Sequence, residues 1–420
     1  LPYYIQFHEV NIYRIIFVVS NLSLKLKVEN DDVFDFKTSE LVNRIIEDNP
    51  KGENSKGENS KDVVNSIPKD SFLWYYIINY CWKSSFGEEK YKELETAFFV
   101  IDEYEKNGVR INNIVIRGDN VDEFFDERID KKVAIANIKV HDSDMMNSVF
   151  NKPNVRKERR QRLFNLINEA DKNRADLIVF PECSIPYSWI RLLGERSHKR
   201  YLAIVAGLEH WVNSKGLVFN FLVTILPFKF GNYTTSFVRI RLKNHYSHFE
   251  RHQLTGYRLL IPNDISNVKP SYDLFHFRNV YFSVYNCFEL ADINHRALFK
   301  GKVDFIVASE YNKDTKYFSD VAGSWVRDIH TYFVQVNSSD FGDSRISQPS
   351  KSDFMNTVHV KGGENSVTLV GTLKIRNLRS FQFKEYHLQK ECSTLLKPTP
   401  PDFDRKDVEA RINNIEFKFK

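Results

Sequence analysis

The sequence predicts an α/β domain of layered strands and helices, and two observations carry that prediction. First, buried-strand and amphipathic-helix patterns alternate from Lys131 onward: "KKVAIANIKV" reads as a strand, "RKERRQRLFNLINEADKNR" as a helix and "ADLIVF" as a second strand. The order recurs as "VYFSVYN", "DINHRALFKGK" and "VDFIVASE", which is the pattern of helices laid on a sheet face. Second, the two later strands align as "RADLIVFPE" and "KVDFIVASE", setting Asp176 against Asp304 and Glu182 against Glu310. Two pseudo-symmetric halves within one domain are expected from that match.

The elements before Lys131 are less regular. "SLKLKVE" alternates like a strand, and the tandem "KGENSKGENSK" at 51–61 has no apolar residue, so a mobile linker is expected there. The aromatic stretch "SFLWYYIINYCWKSSF" follows, with Cys81 expected as a buried small hydrophobe. "EEKYKELETAFFVIDEYEKNG" then shows apolar residues at helical spacing and predicts a helix stopping at Asn107-Gly108. The resulting division is a mixed, largely helical extension over 1–130, a domain over 131–390 and a tail over 391–420.

Composition narrows the function classes. With 420 residues, 42% hydrophobic and 27% charged, the chain has ordinary globular composition and length for a large core. A formal charge of +5 gives little support to nucleic acid as the main partner. The cysteines at 81, 183, 287 and 392 stand far apart without a CxxC pair, which argues against a disulfide framework and a zinc ribbon and points to a reducing cytoplasm. The apolar run "IIFVVSNLSL" is too short and interrupted to span a bilayer, so no membrane partner is expected.

Polar residues at strand ends of α/β sheets emerge into a crevice, and three positions qualify: Glu182 after "LIVFP", Lys243 ending "TTSFVRIRLK", and Cys287 after "VYFSVYN". Together they make chemical sense. A thiol attacks as thiolate, a carboxylate takes its proton, and an ammonium lowers the thiolate's cost and stabilises an oxyanion. Taken singly, each has a plainer reading: a loop carboxylate, a solvated cation and a packed core thiol. Cys183, next to Glu182, is expected beneath the loop, because successive side chains point opposite ways. No role is identified for Cys392.

The ordered set "FPE", then "LK" with a downstream "ER", then "CFE" resembles the nitrilase or carbon–nitrogen hydrolase superfamily over about residues 131–385. "VAIANIKV", "YLAIVAGLEHW" and "FNFLVTILP" are similar to family strands, and "SWVRDIHTYFVQVNSSDFGDSRISQP" to the family's later helix and Ser hairpin. The resemblance implies a four-layer α-β-β-α sandwich and a Glu-Lys-Cys triad, Glu182, Lys243 and Cys287. It also implies an oxyanion contact from the Phe288 backbone and an orienting role for Glu250. The implied activity is hydrolysis of a small-molecule amide or nitrile through a thioester, with no metal or cofactor. The alternative is a catalytically silent oligomerisation or regulatory module.

The resemblance further implies homo-oligomers joined through the helix at about 291–300. Nitrilase-like domains also occur behind reverse transcriptases in bacterial antiviral systems, and a chain opening at Leu1 fits the C-terminal part of such a fusion. Nucleic acid would then be a partner only through a fused or missing N-terminal region. Three departures from the pattern bear on the substrate: His330 where Glu is common, Gly342-Asp343-Ser344 in place of a glycine pair, and the unusual segment between Lys243 and Cys287.

Two basic features have competing readings. His245, His248 and His252 would share one face of a helix, a spacing that suits Zn²⁺, although no HExxH accompanies them. The run "RKERRQR" at 156–162 suits a phosphate backbone, and equally the solvent face of the first helix.

Overall fold

A computed structural model describes residues 99–116, 129–212, 216–230, 233–265, 269–392, 395–415 and 417. The 51–61 repeat, the aromatic stretch 71–86 and Cys81 lie outside the described residues. The described chain opens with a hairpin, β1 (Phe99–Lys106) and β2 (Val109–Ile116). It continues through β3 (Lys131–Asn137), α1 (Asp142–Val149), α2 (Lys157–Lys172), β4 (Leu177–Val179), α3 (Ile190–Arg200) and β5 (Ala203–Gly207). The short pair β6 (Trp211–Val212) and β7 (Val218–Phe219) precedes β8 (Phe221–Phe230), β9 (Tyr233–Leu242), α4 (His248–Gly256), β10 (Ser271–Phe277) and β11 (Val280–Asn286). Then come α5 (Ile293–Arg296), β12 (Phe305–Ser309), α6 (Thr315–Asp328), β13 (Tyr332–Val336), β14 (Ser344–Ser347), β15 (Asn356–Val360), β16 (Val367–Leu373), α7 (Ile375–Phe383) and α8 (Arg405–Ile412).

Two large sheets form, one ordered β16-β3-β4-β5-β8-β9 and the other β1-β2-β10-β11-β12-β13-β14-β15. They stack face to face because their strands are apolar on both sides. From β3, Val133 and Ile135 point into the space between the sheets, where they meet Phe282, Val284, Val307 and Val334 of the other sheet. The alternate residues Ala134 and Ala136 face outward onto Leu163, Leu166, Ile167 and Ala170 of α2. The second sheet does the same: Tyr281, Tyr285, Ile306 and Phe333 face outward onto Phe318, Ala322 and Trp325 of α6. Helix, sheet, sheet, helix is the four-layer order expected, and the near-continuous apolar strands are its sequence cause.

The pseudo-symmetry has a physical basis in the aligned aspartates. Asp176 accepts the Lys132 amide at 2.8 Å while its own amide donates to the Lys132 carbonyl at 2.8 Å. Asp304 repeats this with Tyr281, at 2.8 and 2.7 Å. Each aspartate thus secures the start of the neighbouring parallel strand, β3 in one half and β11 in the other.

Two expectations are corrected. Phe99–Lys106 is a strand, not the end of a helix, and Asn107 and Gly108, at φ 54° and 76°, form a two-residue hairpin turn. Asn-Gly supplies the paired left-handed conformations such a turn needs. β2 then docks parallel on β10, so the sandwich starts before residue 130. At the other end, α8 is no detached tail: Arg411 is fully buried and its guanidinium reaches Asp304 at 2.6 Å. Arg379 of α7 meets the same carboxylate at 2.6 Å, so one buried aspartate ties α7 and α8 to the second sheet. His330, one of the departures noted in the sequence, is also buried there. It contacts the Lys397 carbonyl at 2.7 Å and Gln382 at 3.1 Å, as a core histidine.

Candidate active site

β3, β4 and β5 run parallel to one another, as do β11, β12 and β13, and β9 follows the direction of β5 because two antiparallel pairings separate them. The carboxyl ends of these strands therefore collect at common rims. Glu182 follows β4, Lys243 follows β9 and Cys287 follows β11, and all three are buried. Asn220 stands just before β8, at the same end of the first sheet.

Lys243 is the hub. Its Nζ donates to Glu182 Oε1 at 2.7 Å and to Glu250 Oε2 at 2.6 Å. Asn220 bridges the same two carboxylates, its Nδ2 donating to Glu182 Oε1 at 2.9 Å and to Glu250 Oε1 at 3.0 Å. Asn286 Nδ2 donates to Asn220 Oδ1 at 3.1 Å, which links this cluster across the sheets to the residue before Cys287. Glu250 sits in the first turn of α4, whose Ser247 cap accepts the Glu250 amide at 3.1 Å.

Burial alone would lower the Lys243 ammonium, but Glu182 and Glu250 reverse that and hold it well above the ordinary lysine value. Glu250 is likewise buried, yet Lys243 and His210 hold its carboxyl below the usual range. Lys243 is thus a permanent cation and not a base. Cys287 behaves differently: burial first and then the Glu182 charge push its thiol well up, against the pull of Lys243. Cys287 is 8% exposed and rests as a thiol, because the help that Lys243 gives the thiolate does not outweigh burial and the Glu182 charge.

The backbone presents the thiol. Cys287 has φ 43°, a left-handed conformation that costs a non-glycine residue about 1 kcal/mol or more. It opens a 3₁₀ turn, Cys287–Ala291, whose leading amides, Phe288 among them, lack partners within the turn by position. Glu289 holds this geometry. Its Oε2 accepts from the Asn286 amide at 2.7 Å and Arg241 Nη2 at 2.7 Å, and its Oε1 accepts from the Asn244 amide at 2.6 Å and Arg241 Nη1 at 2.7 Å. One buried carboxylate thereby fixes the residue before Cys287 and the residue after Lys243.

Glu182 is seated by Gly207. A Cβ on that glycine would lie 2.3 Å from the Glu182 Cα, so only glycine lets the loop pack this closely on β5. Arg159, the one buried arginine of the basic run 156–162, donates to the Ser184 carbonyl at 3.0 Å and steadies the same loop. The rest of that run is solvent face. Cys183 lies beneath the loop as expected, 3.9 Å from His210 Nδ1.

The structure therefore brings together Glu182, Lys243, Glu250 and the Cys287–Phe288 turn. It adds Asn220, Glu289 and Arg241, and also Glu310, whose carboxyl burial pushes up to about 8, while Gln335 donates to it at 2.9 Å. The sequence reading placed Glu310 only in the repeat and passed over the other three. Asn220 did leave a signal, as a polar residue interrupting the apolar run "VFNFLV". The three histidines do not share a helix face: His245 precedes α4, and only His248 and His252 lie on it.

No protein-family model matches the chain, and no curated protein matches it. Among solved structures, the chain is similar to a CN-hydrolase superfamily protein from Xanthomonas campestris with an arsenic adduct in its active site, at 12% identity and TM-score 0.43, over 64% of this chain and 99% of that one. It is also similar to a nitrilase-superfamily amidase from Nesterenkonia, in a cysteine-to-serine mutant, at 11% identity and TM-score 0.40, over 62% of this chain and 97% of that one. A further mutant of the Nesterenkonia amidase, with the acetamide moiety of fluoroacetamide on its active-site cysteine, matches at 11% identity and TM-score 0.40, over 62% of this chain and 96% of that one. The reading of the site rests on its own geometry.

Proposed function

We propose that this chain is a cysteine-dependent hydrolase of a non-peptide C–N bond, in an amide or nitrile. The observation that carries the reading is Lys243 clamped at 2.7 and 2.6 Å between Glu182 and Glu250, beside a cysteine held left-handed at a strand end. With Glu182 Oε1 occupied by Lys243 and Asn220, Oε2 is the oxygen that takes the Cys287 proton. The sulfur attacks the amide carbon, and the carbonyl π pair moves onto oxygen, where the Lys243 ammonium and the Phe288 amide stabilise it. As the C–N bond breaks, Glu182 returns the proton to nitrogen and ammonia or an amine leaves a thioester on Cys287. Glu182 then takes a proton from water, the hydroxide adds to the thioester carbon, the C–S bond breaks, and the acid departs with the thiol restored. On a nitrile the sulfur adds to the C≡N carbon, and water completes the hydrolysis. Because Cys287 rests protonated, proton removal and attack belong to one step.

The expected homo-oligomer belongs to the same proposal, supported by Ile293, which opens α5 and is 70% exposed. So does the fusion to an upstream reverse transcriptase, which sequencing the native reading frame before Leu1 tests. No helix among the described residues is long and apolar enough to cross a membrane.

The test is a panel of small amides and nitriles assayed for ammonia release, with Cys287→Ala and Glu182→Gln as controls and the wild type monitored by intact mass. Release by the wild type alone, with an acyl adduct on Cys287, supports the reading. No release and no adduct across the panel would sink it, leaving the silent-module alternative.

A further inference from the structure

We propose that His245, Asp292 and His295 form a binding site for a divalent transition-metal cation, Zn²⁺ by its donor chemistry, placed between the Lys243 loop and the Cys287 turn. The donor atoms already stand near the vertices of a coordination polyhedron. His245 Nε2 lies 3.0 Å from His295 Nδ1 and 3.4 Å from Asp292 Oδ2, and His295 Nδ1 lies 3.5 Å from the same oxygen. Zinc bonds of about 2.0–2.1 Å in tetrahedral geometry set neighbouring donors roughly 3.3 Å apart. All three separations bracket that value.

The carboxylate is divided in a way that suits the site. Asp292 Oδ1 accepts the Asn294 amide at 2.9 Å and the His295 amide at 3.1 Å as the cap of α5, and Oδ2 is the oxygen turned toward the two imidazoles. The Tyr272 hydroxyl lies 3.1 Å from His295 Nδ1, the nitrogen that would bind the cation, so it gives up that contact when the cation binds. His245 and Asp292 are about a third exposed, so a cation and a water ligand can enter from solvent. Two neutral imidazoles and one carboxylate are a zinc donor set, and they leave a fourth position open.

His245 lies two residues after Lys243, and Asp292 follows the turn that Cys287 opens. A cation here would cross-link the two segments that position the ammonium and the thiol. The role is positional, and it does not depend on the hydrolase reading.

The test uses the full chain, stripped with a chelator and titrated with Zn²⁺ by calorimetry and with Co²⁺ by visible absorption. One equivalent per chain is expected, with the intense visible bands of tetrahedral Co²⁺ and a rise in melting temperature. His245→Ala and His295→Ala should each weaken binding at least tenfold, and Asp292→Asn, which preserves the helix cap, should do the same. His248→Ala, His252→Ala and Cys287→Ser should bind as the wild type does, with circular dichroism confirming that each variant is folded. Absence of saturable binding would overturn the proposal. So would binding that survives both His245→Ala and His295→Ala, or that is lost on Cys287→Ser.

Discussion

Glu289→Gln is the substitution whose consequence follows most directly from the geometry. Four donors face the two Glu289 oxygens: both Arg241 terminal nitrogens and the amides of Asn244 and Asn286, at 2.6 to 2.7 Å. Glutamine keeps the shape but replaces one oxygen with an NH₂, which then opposes two donors whichever way the amide is turned. Each stranded buried donor costs about 1–3 kcal/mol. Arg241, buried and raised by Glu289 against its own desolvation, would also lose its counter-charge, and breaking such a pair costs about 3–5 kcal/mol. These overlap, so the expected loss is about 4 kcal/mol. Urea denaturation followed by fluorescence measures it. A loss below about 1 kcal/mol would mean that Glu289 is not the clamp described, and the account of how Cys287 and Lys243 are positioned would be wrong.

Three further outcomes are expected. Gly207→Ala must open the Cβ contact with Glu182 from 2.3 Å to an ordinary 3.4 Å, a displacement of 3.4 − 2.3 = 1.1 Å. A shift of that size should lower ammonia release roughly 10²-fold while the fold survives, and unchanged turnover would refute the seating argument. Burial alone would raise the Asp304 carboxyl, but Arg379 and Arg411 more than offset it and hold it at about 2, below the ordinary 3.8. Its contribution to stability is therefore fully present above the ordinary carboxylate value and is lost as pH falls toward 2. Asp304→Asn should cost about 3–5 kcal/mol at neutral pH, and the variant should lose less than the wild type does on acidification, as acid titration of the denaturation midpoint will show. Glu310, pushed up to about 8, is protonated at neutral pH, so Glu310→Gln should leave neutral-pH stability within about 1 kcal/mol of wild type. A larger loss in thermal or urea unfolding would show that it is ionised.

The parts of this structure that were legible in the sequence are those set by local pattern. Two-faced apolar strands such as "KKVAIANI" and "VDFIVAS" announce a layered sheet, and Glu182, Lys243 and Cys287 stand out because each ends such a run. The hairpin β1–β2 was misread because Asn-Gly serves both as a helix stop and as a hairpin turn, and only the pairing with β10 decides between them. Asn220, Arg241 and Glu289 were passed over because what they do is long-range. Arg241 and Glu289 are 48 residues apart and read as ordinary charges until the sheets bring them together. The histidines illustrate the same limit. His245 has its neighbours 47 and 50 residues downstream in Asp292 and His295, whereas the i, i+3, i+7 spacing pointed to His248 and His252.

The central claim is that Glu182, Lys243 and Cys287 act as one electrostatic unit, and the pH dependence of Cys287 alkylation tests it most directly. Iodoacetamide labelling would be followed by intact mass in wild type, Glu182→Gln and Lys243→Met, with Cys287→Ala as the blank. Glu182 raises the Cys287 thiol and Lys243 lowers it, so the two substitutions should move the labelling midpoint in opposite directions. Glu182→Gln is expected to label at lower pH than wild type although it should not turn over, and Lys243→Met at higher pH. Coincident profiles for all three proteins would contradict the account.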